Sequence, residues 1–89
     1  MSTAGECRMI RLTLYGREDC HLCHEMRAVI EEVRAGIPCE VEEVDVDGDP
    51  ALVAAYGAEV PVLCVNGRKA FKYRVDARTL RARLARESG

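Results

Sequence analysis

Cys20 and Cys23 are the residues of this 89-residue chain best suited to chemistry. They stand two residues apart in the run Cys20-His21-Leu22-Cys23-His24. Two thiols at that spacing can act on one disulfide in turn. One attacks as the thiolate, and the other resolves the mixed disulfide. The same five residues hold four nitrogen and sulfur ligands, so zinc or an iron–sulfur cluster is the competing chemistry. A closed zinc site draws its second ligand pair from elsewhere in the chain, and there is no other histidine to supply it. Cys39 and Cys64, both expected on strands, would have to turn toward the pair to complete such a site.

The pair is positioned by what flanks it. Ile10, Leu12 and Leu14 alternate, which predicts a half-buried strand over about Ile10 to Tyr15. Gly16 and Asp19 break it, and a helical pattern starts at once. Cys20 then falls at the helix N-terminus, where unpaired N–H groups and the positive dipole end favour an anion. The effect matters because a free thiol with a pKa of about 8.5 is only about 3% thiolate at pH 7. Arg17 adds to it; Glu18 and Asp19 oppose it. His21 has two readings: a partner for the thiolate, or an exposed histidine in the first turn. His24 reads as solvent-facing. Leu22 is either core or an apolar contact beside the reactive sulfur. Leu22, Met26, Val29, Ile30 and Val33 form one apolar stripe of the helix, and Gly36 is placed to stop it.

Ile37-Pro38 leads to a second strand, Cys39 to Val46, parallel to the first because a helix separates them. Its alternation slips between Val41 and Val44. A bulge near Glu42–Glu43 would reconcile the two phases, or the strand begins in effect at Glu43. Asp49 is a candidate cap and Pro50 a first helical residue for a short helix, Ala51 to Tyr56, ended by Gly57. Val60-Pro61 precedes a third strand, Val62 to Val65. Asn66-Gly67 is a strong hairpin signal and returns the chain as a fourth strand, Arg68 to Arg74, with Phe71 and Tyr73 on one face. Asp76 can cap a last helix that buries Ala77, Leu80 and Leu84. Arg78, Arg81, Arg83 and Arg86 line its other side, which suits solvation or a docking surface. The order β-α-β-α-β-β-α predicts an α/β domain with a four-stranded mixed sheet and helices on both faces.

A net charge of −2 and 48% hydrophobic residues describe one small domain with no bias toward nucleic acid or membrane. Residues 1–9 read as a flexible tail in which Cys7 is an exposed thiol, and residues 10–89 as the domain. The five cysteines, odd in number and irregular in spacing, argue against a secreted disulfide framework. No signal-like or membrane-length apolar run is present, so the cytoplasm is the expected compartment. A monomer is expected.

A strand, then Cys20-X-X-Cys23 opening a helix, then Val60-Pro61 before another strand, resembles the thioredoxin fold. More narrowly it resembles the small glutaredoxin-like proteins, over roughly residues 10 to 85. The resemblance implies a dithiol oxidoreductase with Cys20 as nucleophile and Cys23 as resolving thiol. It implies a cis Pro61 lying against the pair, with the backbone of Val60 left to pair with an extended peptide or with glutathione. Arg17, His21, Leu22, Val60 and Pro61 would then contact the substrate, a protein or low-molecular-weight disulfide. No bound cofactor is implied. Reducing power would come from outside, from glutathione as co-substrate or from a thioredoxin-type reductase. The chain departs from the glutaredoxin pattern at Cys-His-Leu-Cys, where Cys-Pro-Tyr-Cys is usual, and at Glu59-Val60-Pro61, where Thr-Val-Pro is usual. Residues 50 to 58 offer no basic or amide side chain, and Arg74-Val75-Asp76-Ala77 has no Gly-Gly turn. Glu59 also sets a negative charge near the expected path of an anionic tripeptide. Glutathione therefore stays one of two open co-substrates. The competing class is a binding module, either a metal holder or an adaptor.

Overall fold

The opening alternation becomes β1 (Ile10–Gly16), with Ile10, Leu12, Leu14 and Gly16 all turned inward. The structure is a computed structural model that describes residues 10–88; the tail expected at 1–9, with Cys7, lies outside the described residues. After β1 come α1 (His21–Arg34), β2 (Cys39–Asp45), a 3-10 turn (Val46–Gly48) and α2 (Pro50–Tyr56). Then follow β3 (Val62–Val65), β4 (Arg68–Lys72) and α3 (Ala77–Ser88). The sheet order is β2-β1-β3-β4, with β1 and β2 parallel and the other two pairings antiparallel. Asn66 (φ 51°) and Gly67 (φ 85°) both take the left-handed conformation that a two-residue hairpin turn of this twist requires.

One face of the sheet carries the main core. Leu12, Leu14, Leu63 and Val65 meet Met26, Ile30 and Val33 of α1 and Leu80 and Leu84 of α3. Each such fully buried side chain contributes roughly 1.5–3 kcal/mol. Cys23 joins the buried side of α1, while Leu22 and Val29 lie half-buried at its margin. Gly36 is not a left-handed stop. The helix closes instead with the N–H groups of Gly36 and Ile37 both donating to the Val33 carbonyl, at 3.1 and 3.0 Å. Asp76 caps α3 by accepting from the Thr79 N–H at 2.9 Å, and Asp49 caps α2 through the Ala51 N–H.

The opposite face is smaller. Val46, Val62 and Cys64 are buried there, next to the stacked rings of Tyr15 and Tyr56, whose centroids are 4.3 Å apart. This face explains the slip in β2. The strand runs beside β1 in unbroken register from Ile10–Cys39 to Gly16–Asp45, without the expected bulge. Cys39 and Val41 belong to the main core, whereas Val46 is buried outside it. The two faces are covered at different ends of the strand, so the apolar phase changes without any change in backbone. The irregularity occurs in β4 instead, where the register shifts between Leu63 and Cys64 and leaves Ala70 as the extra residue. β4 ends at Lys72, short of the expected Arg74. Phe71 packs against the core, but Tyr73 turns left-handed (φ 68°) and stays 44% exposed, so the two do not share a face. No described helix is long and apolar enough to cross a membrane.

Candidate active site

Cys20 is the N-cap of α1, with extended backbone (φ −118°, ψ 111°). Its Sγ accepts from the Cys23 N–H at 3.2 Å, and its carbonyl accepts from the His24 N–H at 3.1 Å. A sulfur thus fills the place that a serine or aspartate oxygen takes in most helices. Cys20 and Cys23 are joined through their sulfurs, with Cα atoms 5.1 Å apart. The two differ in access: Cys20 is half-buried, Cys23 only 2% exposed.

β1 makes room for the buried sulfur. A Cβ at Gly16 would lie 2.8 Å from Cys23 Sγ and 3.3 Å from its Cβ, closer than packed atoms tolerate. The strand ends beside it form a row. Gly16 pairs with Asp45 of β2. One step beyond the Tyr15–Val62 pair carries Gly16 to Pro61, and one step beyond Val62–Lys72 carries Pro61 to Tyr73. The Tyr73 N–H donates to the Pro61 carbonyl at 2.8 Å, which completes the row. Pro61 is buried and its bond to Val60 is cis. Among the described residues, the turn and ladder bonds bracket Val60 without engaging it: the Glu59 N–H donates to the Tyr56 carbonyl, and the next acceptor is Pro61.

The remaining candidates divide. Leu22 is half-buried and lines a groove of about 380 Å³ between α1 and the start of α3. His21 is exposed and its Nε2 lies 2.8 Å from the Glu25 carboxylate, one turn along the helix, rather than on the Cys20 sulfur. His24 is exposed, as expected. Arg17 does not turn to the pair either. Its Nε donates to both Asp47 oxygens at 3.0 and 3.2 Å, and its Nη1 to the Gly57 carbonyl at 3.0 Å. The guanidinium therefore ties β1 to the 3-10 turn and the end of α2. Glu59 lies 2.7 Å from Lys69 and 3.5 Å from Lys72; the Lys69 hydrogen bond, above all, holds its carboxyl below the usual value. The charge expected to oppose an anionic ligand is thus met by two lysines. Among the described residues, no group of three or more His, Cys, Asp or Glu stands together to hold a metal ion.

Cys39 and Cys64 are buried on strands, as their spacing suggested. Burial, the largest influence, raises both thiol pKa values; Arg34 partly offsets it at Cys39, and Lys69 and a Tyr56 hydrogen bond do so at Cys64. The folded protein therefore keeps these protons to higher pH than the unfolded chain does. Their contribution to stability is present in full below the ordinary thiol pKa of about 8.5 and falls as pH rises above it. Urea unfolding is expected to show a smaller loss between pH 8 and 10.5 in a Cys39→Val/Cys64→Val variant than in the parent.

A family model described as a glutaredoxin-like domain (DUF836) matches residues 11–85. The chain belongs to this glutaredoxin-like family. Relatives agree. An uncharacterized protein of Mycobacterium tuberculosis is 29% identical over 83 residues, covering 88% of this chain and 86% of its own. A structural-genomics target from X. campestris is 43% identical with a TM-score of 0.73, covering 84% and 96% of the two chains. A protein of Nitrosomonas europaea is 32% identical with a TM-score of 0.75, covering 85% and 92%. A thioredoxin variant from Halobacterium salinarum, 24% identical, shares the fold at a TM-score of 0.69, over 90% of this chain and 75% of its own. The architecture of this glutaredoxin-like protein is the thioredoxin fold.

Three features of the glutaredoxin-like site escaped the sequence. Gly16 was legible only as a strand breaker, although it is the wall against which Cys23 packs. Asp47, the partner of Arg17, sits 30 residues away in the chain. Tyr73 carries an alternation that reads as strand, and no local signal marks its left-handed turn.

Proposed function

We propose that the protein is a thiol–disulfide oxidoreductase that works through Cys20 and Cys23. The observation that carries this reading is the asymmetric pair: a half-buried cysteine whose sulfur caps a helix, bonded to a fully buried one, at the end row that holds Gly16 and Pro61. The Cys20 thiolate attacks one sulfur of a substrate R–S–S–R′, forming Cys20–S–S–R and releasing R′S⁻. The Cys23 thiolate then attacks Cys20 Sγ and releases RS⁻. Two electrons pass from the dithiol to the substrate, and the two leaving thiolates are protonated. An external thiol must reduce the Cys20–Cys23 disulfide to complete the cycle. The first attack gains from the α1 N-terminus, which favours negative charge at Cys20. Val60 supports binding of an extended partner, since its backbone is left out of the bonds around it.

The substrates on this reading are protein or small disulfides, in the cytoplasm, with reductant supplied by glutathione or a thioredoxin-type reductase. The metal-holding alternative gains no support from His21, which is engaged with Glu25. The test is an anaerobic titration of metal-free protein in glutathione buffers, read by intact mass. A loss of two hydrogens (two protons and two electrons, taken up by glutathione disulfide) that disappears in both Cys20→Ser and Cys23→Ser supports the dithiol reading. No disulfide anywhere in the range would refute it. A glutathione adduct accumulating on Cys20 would make glutathione the co-substrate.

A further inference from the structure

We infer that Tyr73 is the specificity-determining residue of the Cys20–Cys23 site. Its ring selects disulfides of extended peptides that carry an apolar side chain beside the cysteine. The inference rests on the oxidoreductase reading above and names its substrate class.

Tyr73 holds a φ of 68°, a left-handed conformation uncommon for a bulky residue and kept only where the surroundings impose it. Two contacts impose it here: its N–H donates to the Pro61 carbonyl at 2.8 Å, and its hydroxyl to the Ala58 carbonyl at 3.4 Å. The result is not burial. The residue stays 44% exposed, with the Lys72 ammonium 5.6 Å above the ring. A strained backbone thus leaves an aromatic side chain partly exposed, at the end of the row that runs from Gly16 through Pro61.

Tyr73 is one wall of the 380 Å³ groove. Leu22, which sits between the two cysteines, forms another wall, and Met26, Val29 and Val75 add apolar surface. The polar lining is Glu25, Arg74, Asp76 and Thr79, and with the Lys72 ammonium over the Tyr73 ring the two carboxylates are matched by two cations. Asp76 already occupies the α3 N-terminus by accepting from the Thr79 N–H, so that end is not open to a ligand carboxylate. A mainly apolar groove with no surplus of cations, its helix N-terminus already taken by Asp76, suits a neutral apolar side chain better than an anionic tripeptide. A peptide strand lying along Val60 projects side chains at alternate positions, and Tyr73 is one strand spacing, about 4.8 Å, from Pro61.

The test compares two disulfide-linked peptide homodimers, identical except for Phe or Ser after the cysteine, with dithiothreitol as reductant. The parent protein is expected to show a kcat/KM about tenfold higher for the Phe peptide. Tyr73→Phe should keep that ratio, and Tyr73→Ala and Tyr73→Gly should bring it close to one. Glycine is at ease at this φ, so Tyr73→Gly is expected to melt at or above the parent temperature while losing selection, a combination that a merely structural role would not produce. The inference is overturned by a parent ratio near one, by a ratio retained in Tyr73→Gly, or by equal loss of both rates. Faster turnover of the mixed disulfide between glutathione and the peptide than of the Phe homodimer would assign the groove to the tripeptide and overturn it too. If the parent reduces none of these, the oxidoreductase reading itself fails, and this is seen before any variant is made.

Discussion

Cys20→Ser is expected to stop disulfide turnover, lowering the rate by on the order of a thousandfold or more, because no other thiol among the described residues is placed to begin the reaction. Cys23 is buried at 2% exposure, and Cys39 and Cys64 are buried on strands with their thiols held protonated. A serine at position 20 can still cap α1, since hydroxyl oxygens accept from helix N–H groups as well as sulfur does. The fold should therefore survive while activity does not. Cys23→Ser is expected to behave differently. The first attack proceeds, the mixed disulfide on Cys20 persists, and intact mass shows the protein carrying half of its substrate. Full reduction of protein disulfides by Cys23→Ser, or unaltered turnover by Cys20→Ser, would contradict the assigned order of attack.

Gly16→Ala is expected to cost about 1–3 kcal/mol, the usual range for forcing a methyl into a packed interior. For a domain of this size each kcal/mol corresponds to roughly 4–8 °C in melting temperature. The new Cβ would stand 2.8 Å from Cys23 Sγ and 3.3 Å from Cys23 Cβ. Neither strand nor helix can absorb the overlap freely, because β1 is the central element of the sheet, paired on both sides. The shift must be taken up by the cysteine, so the release of the mixed disulfide should slow together with the loss of stability. Gly36→Ala is the control. It meets nothing within 4 Å and has no positive φ, so the substitution should be neutral or stabilising by about 0.4–1 kcal/mol. Thermal melts followed by circular dichroism, with the rate of thiol release measured on both variants, check the contrast. Equal behaviour of the two glycine variants would remove the steric role assigned to Gly16.

Sequence alone determined the parts of this protein that depend on short-range chemistry. The alternation of Ile10, Leu12 and Leu14, the stripe from Met26 to Val33, the Asp49 and Asp76 caps and the Asn66-Gly67 turn each act within a few residues. Their meaning could be read from spacing, and their order set the architecture. The adjacency of Cys20 and Cys23 at a helix start followed from the same local signals. What the tertiary structure decided were choices between partners far apart in the chain. The slip in β2 looked like a bulge because a sequence does not say which sheet face a helix will cover, or at which end. Arg17 looked like a charge that would add to the helix terminus in favouring the thiolate because its actual acceptors, Asp47 and Gly57, arrive only when the 3-10 turn and α2 pack beside β1. Glu59 looked like an unmet charge because Lys69 and Lys72 reach it from the neighbouring edge strand. Tyr73 looked like strand because its departure is imposed by the carbonyls of Pro61 and Ala58, more than ten residues earlier. Backbone propensity and periodicity act along the chain, whereas a charge or a hydrogen-bonding group takes whichever partner the folded chain brings within about 3 Å.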